Sequence, residues 1–167
     1  MYRRLSAAVT AAVISGTLLS AAPAGAQREK CWHHYRSERA FAKKVNLARS
    51  NKRVPRLQLD KQLTVVARRH SWEMAKRNNL VHTPDSTLAR RVTNWRVLGE
   101  NIGVGGTVKS LHRAFMDSAP HRANALYSPF RHVGVGVIRR NDRIWVTFVF
   151  ESAADPGTRL TPRVKAC

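Results

Sequence analysis

Residues 133–137 read Val-Gly-Val-Gly-Val, residues 139–143 read Arg-Arg-Asn-Asp-Arg, and alternation resumes at Ile144, Val146, Phe148 and Phe150. Side chains alternate across a strand with period two, so each run presents one apolar face and the polar insert between them is a turn. The pattern defines a β-hairpin with one buried face. A lone hairpin is at best marginally stable in water, so the rest of the chain has to cover it.

The upstream sequence supplies helices for that purpose. Phe41, Val45 and Ala48 recur at helical spacing between Arg36 and Ser50, with Lys and Arg between them. Pro55 breaks the pattern, and Asp60 is an N-cap for a second helix whose apolar face carries Leu63, Val66, Ala67, His70 and Met74. His70 on that face reads as a hydrogen-bonded core histidine. Residues 78–95 have no sustained period and read as a long loop, extended around His82 by Thr83-Pro84. A short strand over Trp95–Ile102 follows, then a turn made by glycines, then a helix from Thr107 with Val108, Leu111 and Phe115 on one face. Ser118 caps a last short helix with Pro120 in its first turn. Helices first and a strand pair last indicate an α+β fold.

The first 26 residues carry Arg3 and Arg4, then small and apolar residues, then Ala24-Gly25-Ala26. This is the pattern of a secretory signal peptide (1–26), cleaved after Ala26, ahead of a single domain over 27–167. The expected location is secreted, by an export route that the Arg pair does not identify. The net charge of +20 falls to +18 without those two arginines. Such a field attracts anionic surface polymers or lipids, although a basic surface equally keeps an exported monomer soluble. The cationic residues are scattered from Arg36 to Lys165, and no reading-helix motif accompanies them, so sequence-specific nucleic-acid binding is not expected. Cys31 and Cys167 lie at opposite ends of that domain. In an oxidising compartment they are expected to pair, either within a chain or between two, as against remaining two tail thiols.

Residues 98–106, "LGENIGVGG", place four glycines around Glu100. Gly106 is followed by Thr107-Val108-Lys109, which fails the G-x-x-x-x-G-K-[ST] phosphate loop, and position 108 is Val where G-x-G-x-x-G needs its third glycine. The glycines are left with the task of turning the strand into the next helix. Ser118 near His121 is a weak nucleophile candidate, because an N-cap serine already has a structural job. His82, Glu100 and His121 form a plausible zinc set in residue type. Their spacing matches no compact motif, and by spacing alone they read as separate hydrogen-bonded residues.

The stretches "FAKKVNLAR", "HSWEMAKRNNLVHTP", "NWRVLGENIGVG", "HRANALYSPFRHVGVGV" and "IWVTFVF" resemble, in order, the bacterial branch of the CAP superfamily, the SCP-like domains related to cysteine-rich secretory proteins, insect venom antigen 5 and plant pathogenesis-related proteins. The likeness covers Phe41 to Phe150. It implies an α-β-α sandwich with a central antiparallel sheet and a cleft of two histidines and two acids, which in several members binds Zn2+ or another divalent cation. His82 and His121 correspond to the cleft histidines and Glu100 to the acid of the Gly-Glu-Asn motif. The chain departs from the pattern at Ser118, where many relatives carry the second glutamate. Asp117 beside it points roughly 100° away on a regular helix.

The resemblance implies a secreted binding module whose cleft takes a divalent metal or a small ligand, including a lipid. One alternative is a metal-dependent hydrolase with Glu100 as general base, but that use removes Glu100 from the ligand set, so a binder ranks above an enzyme. A basic adhesin for anionic cell-envelope polymers is another, compatible with the first.

Overall fold

A computed structural model of the chain describes residues 32–161. The signal-peptide expectation and both cysteines, Cys31 and Cys167, lie outside the described residues. The elements run α1 (Arg36–Asn51), β1 (Gln58–Leu59), α2 (Lys61–Arg77), α3 (Asp85–Arg91), β2 (Val92–Thr93), β3 (Leu98–Gly105), α4 (Val108–Asp117), α5 (Ala119–Leu126), β4 (His132–Arg140), β5 (Arg143–Glu151) and β6 (Gly157–Thr158). The main sheet has the order β1-β4-β5-β3. It is antiparallel except that the two-residue β1 runs parallel to β4, so the sheet is mixed. A small antiparallel pair, β2 with β6, stands apart.

The hairpin forms as its alternation requires. Asn141 and Asp142 both take positive φ, 49° and 56°, at the two-residue turn between β4 and β5. Two left-handed residues give the turn whose twist matches that of the flanking strands, and Asn and Asp tolerate it well. Val133, Val135, Val137, Ile144, Val146, Phe148 and Phe150 point to one side, where they pack with Phe41 and Val45 of α1, Leu111 and Phe115 of α4, and Ala125 of α5.

The opposite face carries α2. A Cβ on Gly134 would lie 2.1 Å from the Leu63 carbonyl carbon, and one on Gly136 would lie 2.2 Å from that of Ala67. The missing side chains let helix backbone rest directly on strand backbone. Buried hydroxyls join the two at that closeness: Ser71 Oγ donates to the Gly136 carbonyl at 2.9 Å, and the Val135 amide donates to Thr64 Oγ1 at 3.3 Å. Leu63, Val66 and Ala67 pack there with Val149 of β5 and Leu88 of α3, while Met74 and Ala75 meet Ile102 and Trp145.

Two sequence expectations need correction. Of the glycines of "LGENIGVGG", Gly106 lies in the bend before α4, while Gly99, Gly103 and Gly105 lie within β3. They share one face, where a Cβ would come 2.8 Å from Phe130, 2.7 Å from Phe115 and 3.0 Å from Leu111, respectively. Their role is to admit bulky side chains from α4 and the turn before β4. The segment 78–95 is also not all loop, since α3 and β2 occupy Asp85–Thr93. Seven residues make too short a helix to display a period, and Leu88 is its buried residue.

One buried cation ties the layers at their margin. Arg49, at 0% exposure, donates from Nε to the Pro55 carbonyl, from Nη1 to those of Ala125 and Tyr127, and from Nη2 to that of Phe130. Burial, then the charge of Arg131, lowers its pKa to about 10, which leaves it charged at neutral pH. At the N-terminal side, buried Glu38 of α1 receives two bonds of 2.7 Å from Arg68 of α2.

Gly134→Ala and Gly136→Ala each force backbone apart and are expected to destabilise by about 1–3 kcal/mol or more in urea unfolding. Gly106→Ala, whose Cβ would meet nothing within 4 Å, should stay within about 0.5 kcal/mol. Arg49→Ala removes a donor from four carbonyls, of which those of Tyr127 and Phe130 keep another, and should cost about 3 kcal/mol.

Candidate functional site: a carboxylate-held histidine beside a serine-histidine pair

β3 is an edge strand, bonded to β5 on one side only. Glu100, Ile102 and Val104 face the α2 side, and Gly99, Asn101, Gly103 and Gly105 face α4 and α5. The strand therefore presents groups to both helical layers at the sheet margin.

On the α2 side, Glu100 meets the segment that follows α2. Asn78 ends that helix in the left-handed conformation, φ 49°. Three residues on, the Val81 carbonyl accepts from Nε2 of buried His70 at 2.8 Å. His70 Nδ1 lies 3.6 Å from Glu73, which is held by Arg91 of α3 at 2.8 Å. The core histidine expected from the helical pattern thus also fixes the backbone beside His82.

Glu100 has a side chain only 6% exposed, yet it is fully engaged. Its Oε1 accepts from His82 Nδ1 at 2.8 Å and from the Thr83 amide at 2.9 Å, and its Oε2 accepts from Thr83 Oγ1 at 2.6 Å. A carboxylate only accepts, so His82 carries its proton on Nδ1 and turns Nε2 away. The His82 side chain is 58% exposed, so a buried acid holds an exposed imidazole in one orientation.

On the other side, α5 is docked to β3 by amide side chains. Asn101 Nδ2 donates to the His121 carbonyl at 2.9 Å, and Asn124 Nδ2 donates to the Glu100 carbonyl at 3.1 Å and to Asn101 Oδ1 at 2.9 Å. The His121 ring lies edge-on to Phe115, with centroids 5.1 Å apart. Its Nδ1 is 2.9 Å from Ser118 Oγ. Burial lowers the His121 pKa, and the charge of His82 lowers it further, so the imidazolium is disfavoured. Ser118 occupies the N-cap position of α5 but makes no side-chain cap bond, which corrects the expected capping role.

His82 bonds Glu100 directly, and His121 is joined to the same strand through Asn101 and Asn124. Glu100 is engaged by His82 and Thr83. Among the described residues no group of three or more His, Cys, Asp or Glu side chains is placed to hold a metal ion. Thr83, Asn101 and Asn124 were not singled out by sequence reasoning. The signal for the asparagines lay in their places in "GEN" and "HRAN", where only the charged neighbours were weighed.

A helix-sheet-helix sandwich whose edge strand carries a carboxylate that binds one histidine, with a second histidine on a short later helix, defines a recognisable class. The family model for CAP, the Cysteine-rich secretory protein family, matches residues 42–150, and the chain belongs to that family. It is 32% identical over 117 residues to the uncharacterized protein YkwD of Bacillus subtilis (strain 168), a match covering 64% of this chain and 45% of that relative. The chain therefore spans less than half of YkwD's length. Among solved structures it is similar to an extracellular protein containing a SCP domain from Bacillus anthracis str. Ames, with TM-score 0.60 and 24% identity over 69% of this chain and 40% of that one. An outer surface protein of Borrelia burgdorferi gives TM-score 0.63 at 14% identity, over 69% and 91%. A structure of NaASP2 with Zn2+ gives 0.57 at 11%, over 82% and 90%. Likeness at these identities establishes the shared fold.

His34 and His112 are displaced in the same sense as His121: burial, then neighbouring positive charge, lowers His34 to about 4 and lowers His112. The unfolded chain, with histidines near 6.5, binds protons that the folded chain refuses, so stability falls as pH drops below about 6.5. The loss should continue toward pH 4, where His34 itself becomes charged. Thermal unfolding followed from pH 7.5 to pH 4 is expected to show that decline, and the His121 ring protons should titrate below 6.5 in NMR.

Proposed function

We propose that the chain is an exported CAP-family binding module, whose cleft meets its ligand through Nε2 of His82 and the imidazole of His121. The observation that carries this reading is the buried, triply bonded Glu100 presenting an imidazole to solvent. Holding an exposed side chain in one orientation sacrifices its conformational freedom, and a prepaid orientation lowers the entropy lost on binding. Export is supported by the leader-like first 26 residues, and no described helix is long and apolar enough to cross a membrane.

The donor set argues about the ligand. A divalent ion would find imidazole nitrogens but no carboxylate ready to join them, since Glu100 would first have to give up Thr83 and His82. The Zn2+ in the NaASP2 structure belongs to a protein 11% identical to this one, and it lends the metal reading little weight here. Leu80 and Val81, 46% and 47% exposed, immediately precede His82. A small amphiphile, with a polar head at the histidines and an apolar part over Leu80 and Val81, suits that combination better.

A second reading, adhesion to anionic envelope polymers or lipids, is favoured by the strongly positive charge, +20 for the full sequence and +18 without Arg3 and Arg4, and can operate together with the first.

NMR spectra titrated with water-soluble dihexanoyl phosphatidylglycerol should move the His82 ring signal and the amides of residues 80–83, and His82→Ala should weaken the response at least about tenfold. A parallel Zn2+ titration is expected to be much weaker. Shifts spread over the basic surface, unaltered in His82→Ala and abolished by about 0.5 M salt, would transfer the ligand to the adhesin reading.

A further inference from the structure

We infer that Ser118 and His121 form a nucleophile-base pair that accepts acyl groups from esters. It stands on the Ser118-His121 geometry and is independent of the ligand class proposed above.

The first observation is where the Ser118 hydroxyl goes. A serine at an N-cap normally accepts an amide from the first turn of its helix. Thr107 does so at the start of α4, taking the Ser110 amide at 3.0 Å, and Asp60 does so at the start of α2, taking the Leu63 amide at 2.7 Å. Ser118 makes no such bond and stands 2.9 Å from His121 Nδ1, within the reach required of a nucleophile and its base.

The second observation is that the base is fixed. Phe115 lies against the His121 ring, and Asn101 holds its main chain. With the ring proton on Nε2, Nδ1 is the acceptor facing Oγ. The first turn of α5 adds stabilisation for an oxyanion: the amides of Ala119 and His121 lie in the turn whose N–H groups find no partner within the helix, and the helix dipole is positive there. Pro120 contributes none.

Each step balances. Ser118 Oγ attacks the ester carbonyl carbon while Nδ1 takes the hydroxyl proton; the tetrahedral oxyanion collapses, and the alcohol leaves with that proton. Water then attacks acyl-Ser118, gives a proton to Nδ1, and Oγ departs and recovers it, releasing the carboxylic acid. No carboxylate is among the described contacts of His121 to stabilise its imidazolium, and burial disfavours that cation. The base is therefore suited to esters with good leaving groups and not to peptides, whose amine leaving group needs stronger proton donation.

A fluorophosphonate probe tests the pair without knowledge of the natural ester, since serine attack at phosphorus expels fluoride and leaves a stable adduct. Treatment of the full folded chain, followed by peptide mass mapping, should place one adduct on Ser118. His121→Gln should slow its formation at least about 100-fold. Because that variant could perturb α5, Ser118→Cys provides a second measure: iodoacetamide should alkylate Cys at 118 faster than in the Ser118→Cys/His121→Gln double variant, with both checked for native thermal unfolding. No adduct at Ser118, or labelling indifferent to His121→Gln, would overturn the proposal and leave Ser118 as a residue that only orients His121.

Discussion

The closeness of α2 to the β4-β5 hairpin governs the rest of the fold. Helices commonly pack on sheets through side chains, yet here Gly134 and Gly136 let the carbonyls of Leu63 and Ala67 come down onto the strands. At that separation the small hydroxyls of Thr64 and Ser71 reach across and satisfy buried groups, which larger spacing would leave unpaired. The position of α2 in turn sets where its C-terminal end lies, and so where the chain carrying His82 emerges. Apolar burial supplies the attraction, but the two glycines decide the distance.

β3 repeats the device for the opposite layer. Its glycines receive Phe115, Leu111 and Phe130, while Glu100 on the alternate face receives His82 and Thr83. One strand thereby adds a second coupling of the two helical layers, beside the β4-β5 hairpin and the Glu38–Arg68 pair. Asn101 and Asn124 complete the connection by binding α5 to the strand's main chain and side chain at once. The two histidines owe their common neighbourhood to this edge strand, not to any contact between α2 and α5.

The parts of this arrangement legible in the sequence are those governed by local period or local chemistry. The hairpin, α1, α2 and α4 follow from repeats of two and of about 3.6 residues, and Asp60 from its capping chemistry. The glycine run misled because its fit to a turn was judged residue by residue. Taken at intervals of two, Gly99, Gly103 and Gly105 already describe a strand face stripped for another element, but which element fills it is long-range information. The CAP resemblance correctly located the family and its fold. It carried no information on Thr83, whose two bonds decide that Glu100 serves as a holder of His82. Nor could capping statistics show that Ser118 turns from its helix to His121, because both choices use the same residue at the same position.

Arg49 gathers the end of α1, the segment after it, the end of α5 and the turn before β4 onto one guanidinium with carbonyl oxygens as its partners. Carbonyls neither take up protons in the physiological range nor gather the counterions that dissolved salt supplies. A joint made this way is indifferent to brine and to mild acid, conditions that weaken exposed pairings of cation and carboxylate. In a chain where Lys and Arg outnumber Asp and Glu 30 to 10, acids are scarce partners. Using the backbone as the counter-charge leaves those few acids for places, such as Glu100, where only a carboxylate will serve.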